Sequence, residues 1–540
     1  MPKIIDLDFL PYDEKKKSVL LKLEDLSMGV TVTDEFFVYR NAGEFKVYDR
    51  KCDHNGGKLC MVNDIIKCPL HGWEFDIEQG KYSNVQLSKE TIDHTISDGT
   101  LSIEAVDYIP RLPHIDKDLS VKITFLAHAS LLIETDNISF MMDPWITGFA
   151  FSGGWWPQNL PPKNWRKIIN DVDFIYISHN HPDHLNTYTL DCVRRDMKFV
   201  VPNFLTGSVA KILRANGFTN ILELSFQNHY QVENTQLFLT ILKSGDFRDD
   251  SGLYFTYGNF SFLSSVDAND LNFERFPEDI SLFASNFTGG ASGYPLCFMN
   301  ISETKKKTII KRKNDSKKLR VRAHLRKCKA KYFLPYAGFF REQAKRDQYV
   351  LENNKKNTIG DYASTITGTH ILNVEEHDEY VFNGNDVVER NIIARECKHE
   401  DDPEEFINKQ INKYSFDREY LLEYFEECGF RDNLTVYISL TNDDFSLSFN
   451  KVAIDFSGHE VAVRFGEFDW HKIKNISDSG ANPNNKYLYI EVRQDSFLWV
   501  VNRRMPWEEL SIGFQCRIDR MPDIYNVEFW YHFTNIYVLQ

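Results

Sequence analysis

The chain has 540 residues, 42% hydrophobic, 26% charged and 14% aromatic, with a formal net charge of −15. That mix belongs to globular domains, roughly three at this length, and excludes a mainly disordered, collagen-like or coiled-coil chain. The acidic balance excludes a general nucleic-acid coat, no window reaches the ~18 apolar residues of a membrane span, and nine cysteines at low density exclude a disulfide scaffold. The N-terminus shows no charged-then-apolar leader, so the sequence reads as a soluble, cytoplasmic protein of a reducing compartment.

Residues 1–108 hold short alternating runs broken by Gly and Asn, among them VTVTDEFFVYR, EFKVYD and TLSIEAVDYI, which predict a small all-β domain. The proline-bearing IPRLPHIDKDL opens the next region, 109–352. There VKITFLAHASLLIE, ISFMMDPW and the almost wholly apolar VDFIYIS predict strands, and LTGSVAKILRANG predicts a helix ending at Gly217. Strands alternating with helices imply a layered α/β domain. Residues 305–331 carry 14 Lys or Arg against the single acid Asp315, about +13, leaving the rest of the chain near −28. Such a segment is a solvated helical face, a dock for an acidic electron-transfer protein, or an attractor of anionic substrate. The polar stretch 353–415 reads as loops and connector, and 416–540 returns to β-like runs in a C-terminal α+β region that completes the catalytic unit.

KCDHNGG and KCPLHGW place Cys52, His54, Cys68 and His71 as Cys-x-His and Cys-x-x-His, with 13 residues between the pairs. Two thiolates and two imidazoles suit a structural zinc. They equally suit a [2Fe-2S] cluster with thiolates on one iron and imidazoles on the other. Gly56 and Gly57 after the first pair, and Gly72-Trp73 after the second, favour iron–sulfur by allowing close backbone approach. These residues resemble the Rieske family. The family's occasional loop disulfide is not expected here, because Cys60 lies off that position and Pro69 follows Cys68.

A second constellation, YISHNHPDHLN, follows a strand and supplies His179, His181, Asp183 and His184. Three of the chain's 16 histidines fall within six positions, poor odds for chance. Open sheets present such strand ends to ligands. The motif resembles the metallo-β-lactamase fold, an αββα sandwich, with FLAHASLLIE and MMDPW as its opening hairpin. That resemblance implies Asp267 as a further ligand, matches His128 and Asp143 to the hairpin's His and Asp, and leaves Asp246 as the candidate where a later histidine is expected. His229 is read as an ordinary loop histidine. Zinc has no redox chemistry to use an electron feed, so non-haem iron is expected at this site, with zinc as the alternative.

Rieske first and metallo-β-lactamase-like second is similar to the CMP-N-acetylneuraminate hydroxylase family. DPWITGFAFSGGWW, NFTGGASGYP, PYAGFF and the closing PWEELSIGFQCRIDRMPDIYNVEFWYHF carry the similarity to the end of the chain. The resemblance implies a monooxygenase that takes O2 and electrons through the [2Fe-2S] cluster. The electron donor would be cytochrome b5, or a ferredoxin or flavodoxin, with an NAD(P)H reductase. The substrate would be CMP-sialic acid or a related anionic small molecule. Gly289, Gly290, Ser292 and Trp155 are candidate substrate contacts, with a tight turn and plain packing as the competing readings. The alternative functions are a Rieske-fed oxygenase of another small molecule and a metal-dependent hydrolase of the same fold.

Overall fold

A computed structural model describes the chain apart from residues 1, 8–12, 34, 54–57, 63, 69–72, 84, 479–484 and 540. The N-terminal domain is built of small antiparallel sheets. One pairs Asp13–Lys22, Thr100–Ile109 and His94–Ser97, another Gly29–Val32, Phe36–Asn41 and Glu44–Asp49. A third runs Cys60–Val62, Ile65–Lys67, Glu74–Asp76 and Lys81–Tyr82, and has Cys68 at its edge. Phe37, Tyr48, Leu59, Trp73, Phe75 and Tyr82 pack as its core around Cys52 and Cys68.

Two eight-stranded mixed sheets form the central sandwich. One contains Leu237–Lys243, Ser251–Tyr257, Phe260–Val266, Leu282–Asn286 and Tyr332–Tyr336. The other contains Ser120–Ala127, Ser130–Thr135, Ser139–Met142, Phe174–Tyr176 and Phe199–Pro202. Their continuous apolar runs are buried on both faces, as the mixed sheet order requires. Helices Trp165–Asp171 and Ser208–Ala215 cover the second sheet, and the long helix Glu303–Cys328 packs on the first. Among the described residues no helix is long and apolar enough to cross a membrane.

One sequence expectation needs correction. The stretch 353–415 is not all connector: Glu379–Asn383 and Asp386–Asn391 extend the second sheet beyond Ser120–Ala127, and His370–Ile371 edges the first. Tyr380 and Phe382 supply the buried anchors, every second residue, in a strand that Glu379 and Asn383 flank. In the C-terminal region, expected as α+β, EELSI and VEFWY form the helices Glu508–Ile512 and Val527–Tyr531. In VEFWY the successive Phe529 and Trp530 are both buried, so the alternation that distinguishes a half-buried strand is missing.

The C-terminal sheet, ordered Ala462–Phe465, Ser448–Asp455, Leu434–Thr441, Lys486–Arg493, Cys516–Met521, shares one apolar core with the loop 143–156. The contact is backbone to backbone. A Cβ on Gly154 would stand 2.2 Å from the Gly513 carbonyl oxygen, and one on Gly513 2.1 Å from that of Phe151. Next to it Glu509 accepts a hydrogen bond from the Ser152 amide at 2.8 Å. Gly154→Ala is expected to destabilise the chain by about 1–3 kcal/mol through overpacking. Thermal unfolding checks this, and an unchanged Tm would contradict the close approach.

Candidate metal centre and its cavity

Each metal-binding side chain is delivered by the end of a strand. Ser130–Thr135 and Ser139–Met142 form the opening hairpin; His128 precedes the first and Asp143 follows the second. His179 and His181 leave Phe174–Tyr176, and Asp267 leaves Phe260–Val266. His128 and Asp143 sit at φ 43, and Val266, beside Asp267, at φ 47. A β-branched residue rarely adopts that conformation, so the backbone is strained where the ligands are aimed.

Two groups of donors result. His179, His181 and Asp267 form one, and His128, Asp183 and His184 the other, each with its ligand atoms within 4.8 Å of one another. His179 Nε2 lies 2.9 Å from His181 Nδ1. His184 Nε2 is 3.4 Å from Asp183 Oδ2 and 3.5 Å from Asp267 Oδ2, and His128 Nε2 is 3.1 Å from Asp183 Oδ2. His184 Nε2 and Asp183 Oδ1 are buried with no hydrogen-bond partner among the described residues. Two imidazoles and a carboxylate, with open positions left over, fit iron or zinc.

Outer contacts fix these ligands. Asp143 accepts from the Ser178 amide and hydroxyl, both at 2.7 Å, and lies 3.0 Å from His184 Nδ1, which leaves His184 Nε2 as the donor atom. Asp143 is therefore a support of the centre and belongs to neither donor group. Ser178 Oγ lies 2.9 Å from His179 Nδ1. Glu508, from the C-terminal region, lies 2.9 Å from His181 Nε2. The Asn286 amide donates to Asp267 at 2.8 Å.

The charges are strongly coupled. Burial drives the His179 imidazole well below its ordinary pKa, and its histidine neighbours push the same way. Burial opposes charge on His184 and His181 as well. Asp183 and Asp143 nevertheless raise His184 well above the usual range, and Glu508 raises His181. Burial works against Asp183 too, but His184 and His128 hold it well below the usual carboxylate value.

Asp246, the sequence candidate for the third loop, is not the carboxylate nearest the histidines. It accepts from Arg248 Nη2 at 2.8 Å, and the same guanidinium pairs with Asp250 at 3.2 Å. Asp250 Oδ1 lies 3.9 Å from His179 Nε2 instead. The next residue explains this: Ser251 Oγ donates to the Ser178 carbonyl at 2.6 Å, which pins Asp250 opposite His179. Burial beside Asp246 and Asp267 pushes the Asp250 carboxyl up to about 6 against the pull of Arg248 and His181. His229 is in neither donor group, as expected of a loop histidine.

In the first domain Cys52 and Cys68 are buried and not disulfide-bonded, as thiolate ligands of a cluster require. The Cys68 amide donates to the Trp73 carbonyl at 2.7 Å, closing the second ligand loop. His54 and His71 lie outside the described residues. This domain docks directly on the rest of the chain. Lys51 Nζ pairs with Asp270 at 3.2 Å, Val85 bridges Tyr525, and Gln86 donates to Glu528 at 3.0 Å. Trp73 packs on Tyr525 with ring centroids 6.4 Å apart.

That docking encloses a cavity of about 480 Å³, within the range of small-molecule sites. Its wall includes Trp73 and Tyr525 on one side and His181, Asp183 and Asp267 on another. Gly289, Gly290, Ser292 and Trp155 all line it. The glycines also answer to packing, since a Cβ on Gly289 would meet Asn314 Oδ1 at 2.6 Å. Trp155 stacks on Phe340 at 3.5 Å, and its buried indole N–H has no partner among the described residues. Arg520 lines the cavity, whereas Arg517 sits over the Phe445 ring. Sequence reasoning missed Glu508 and Asp250, which no local motif marks.

Residues 16–96 match the Rieske [2Fe-2S] domain family and residues 122–247 the beta-lactamase superfamily domain. The chain is a multidomain protein in which a Rieske [2Fe-2S] module precedes a metallo-β-lactamase-like one. Over nearly its whole length it is similar to the cytidine monophosphate-N-acetylneuraminic acid hydroxylases. It is 27% identical to that of Xenopus laevis over 95% of this chain and 92% of the relative, and 29% identical to that of Mus musculus over 93% and 91%. The resemblance drawn from the motifs thus extends from end to end.

Two outcomes test this centre. Glu508→Gln is expected to lower metal affinity about 10- to 100-fold, measured by chelator competition; unchanged affinity would remove Glu508 from the centre. Because His181 and His184 hold protons above the ordinary imidazole range, metal must displace them. Affinity therefore rises with pH and falls on acidification, with proton release measurable by calorimetry in buffers of differing ionisation enthalpy.

Proposed function

We propose that this chain is a Rieske-dependent monooxygenase that hydroxylates the N-acetyl group of CMP-N-acetylneuraminate to N-glycolyl. One oxygen atom of O2 enters the methyl C–H bond; the other leaves as water, with a pair of electrons and a pair of protons. The observation that carries the reading is that both modules, in a chain similar end to end to hydroxylases of that name, face one cavity. The electrons come from an external donor, cytochrome b5 or a ferredoxin or flavodoxin with its NAD(P)H reductase, in the cytoplasm.

A [2Fe-2S] cluster at Cys52, His54, Cys68 and His71 supplies single electrons when bound, and iron at the second centre supplies oxygen activation, which zinc does not. The chain's own residues do the rest. His179, His181, Asp183, His184 and Asp267 offer the donor atoms, with His128 beside Asp183 and Asp250 beside His179. Glu508 and Asp143 keep His181 and His184 in the tautomers that leave those atoms free. Phe151 and Trp155 form an apolar wall. Docking of the Rieske module through Lys51, Val85 and Gln86 keeps both centres within one chain.

The same fold hosts hydrolases, and the donor set also accepts zinc, so the test separates the two. Cys68→Ser is expected to abolish the Rieske absorption and reductant-driven turnover while the second metal stays bound. His181→Ala is expected to keep the Rieske spectrum and lose product formation by at least about 100-fold. Full hydroxylation by His181→Ala would refute the second-site assignment. Reductant-independent turnover by Cys68→Ser would move the reading to hydrolysis.

A further inference from the structure

The basic helix Glu303–Cys328 has two distinct cationic faces. Lys311 and Arg312 are exposed to solvent, the face a charged run ordinarily presents. Lys313, Lys317 and Arg320, spaced i, i+4 and i+7, share the other face and line the cavity that holds the second metal centre.

Three other cavity cations are already matched, while Lys305 lies at the exposed start of the helix. Arg248 is paired with Asp246 and Asp250, Arg520 with Asp523, and Lys486 with Asp432. Lys313 donates to the Tyr294 carbonyl at 2.8 Å, on the glycine-rich loop across from the helix. Lys317, by contrast, has no hydrogen bond or ion pair among the described residues. A buried cation with no ion pair of its own, attracted by Asp267 only across the cavity, is costly, and an anion entering that space lowers the cost.

We propose that Lys313, Lys317 and Arg320 form a receptor for a phosphate or carboxylate oxyanion of the substrate. The inference rests on the CMP-sialic acid reading and deepens it, since that molecule carries one group of each kind. The state of the free cavity agrees. Burial pushes the Lys317 ammonium down to about 7, with Arg320 adding repulsion and Asp267 opposing, and pushes Lys313 down to about 8. Burial moves Arg320 in the same direction. The backbone of Gly289 and Gly290 faces the same space. Lysine serves as a mobile point charge and arginine as a planar fork, a pair suited to an oxyanion approached from two sides.

The test is equilibrium binding to the metal-loaded full chain of CMP, which has a phosphate, free N-acetylneuraminic acid, which has only a carboxylate, and cytidine, which has neither. Lys317→Met and Arg320→Met are expected to weaken binding of the oxyanion-bearing probe about 10- to 100-fold and to leave cytidine unchanged. Loss confined to CMP assigns the phosphodiester, and loss confined to N-acetylneuraminic acid assigns the carboxylate. Lys317→Arg should recover most of the affinity. In turnover KM should rise with kcat held, while Rieske absorption and second-site metal content stay unchanged. Wild-type binding of both anions by Lys317→Met and Arg320→Met would overturn the proposal. If the unsubstituted chain ignores CMP-sialic acid but binds inorganic phosphate in a Lys317-dependent way, the substrate reading falls and the oxyanion receptor stands. If it binds neither, both fall.

Discussion

Everything in this structure depends on keeping a dense cluster of imidazoles and carboxylates out of water. His128, Asp143, His179, Asp183 and His184 are almost completely buried at the mouth of one sandwich. Unpaired, each would carry a desolvation penalty of several kcal/mol. The solution is mutual: Asp143 holds Ser178 and His184, Asp183 sits between His128 and His184, and Glu508 reaches in to His181. Among the described residues His184 Nε2 and Asp183 Oδ1 are left without a hydrogen-bond partner, where a metal would bind.

That constraint explains why the C-terminal region is more than a scaffold. Glu508 lies on a short helix, while Gly513, just beyond it, presses backbone to backbone on the loop that follows Asp143. The same region meets the Rieske module through Tyr525 and Glu528. One segment therefore sets the register of the metal centre, walls the cavity and seats the Rieske module. The basic helix closes the remaining side and gives the cavity a positive wall opposite an acidic metal centre.

Much of this was legible in the sequence, because metal ligands come in short local patterns. Cys-x-His, Cys-x-x-His and His-x-His-x-Asp-His each span only a few neighbouring residues, so spacing alone reveals them. Asp267 was legible as a carboxylate at a strand end. Asp250 was not, because its position is set by Ser251 bonding to the histidine strand, a contact between residues 73 apart in sequence. Glu508 was hidden for the same reason, its separation from His181 being 327 residues. The strands within 353–415 escaped because they are mostly exposed edges whose alternation is carried by Tyr380 and Phe382 alone. The charge run of the basic helix was plain, but which of its faces met solvent and which met the cavity was a matter of tertiary packing.

The most direct measurement is the fate of labelled molecular oxygen. The metal-loaded chain, given a reductase system, CMP-N-acetylneuraminate and isotopically labelled O2, should yield N-glycolyl product carrying the label on its new hydroxyl. Product whose new oxygen derives from water, or conversion of the substrate without O2, would contradict the account.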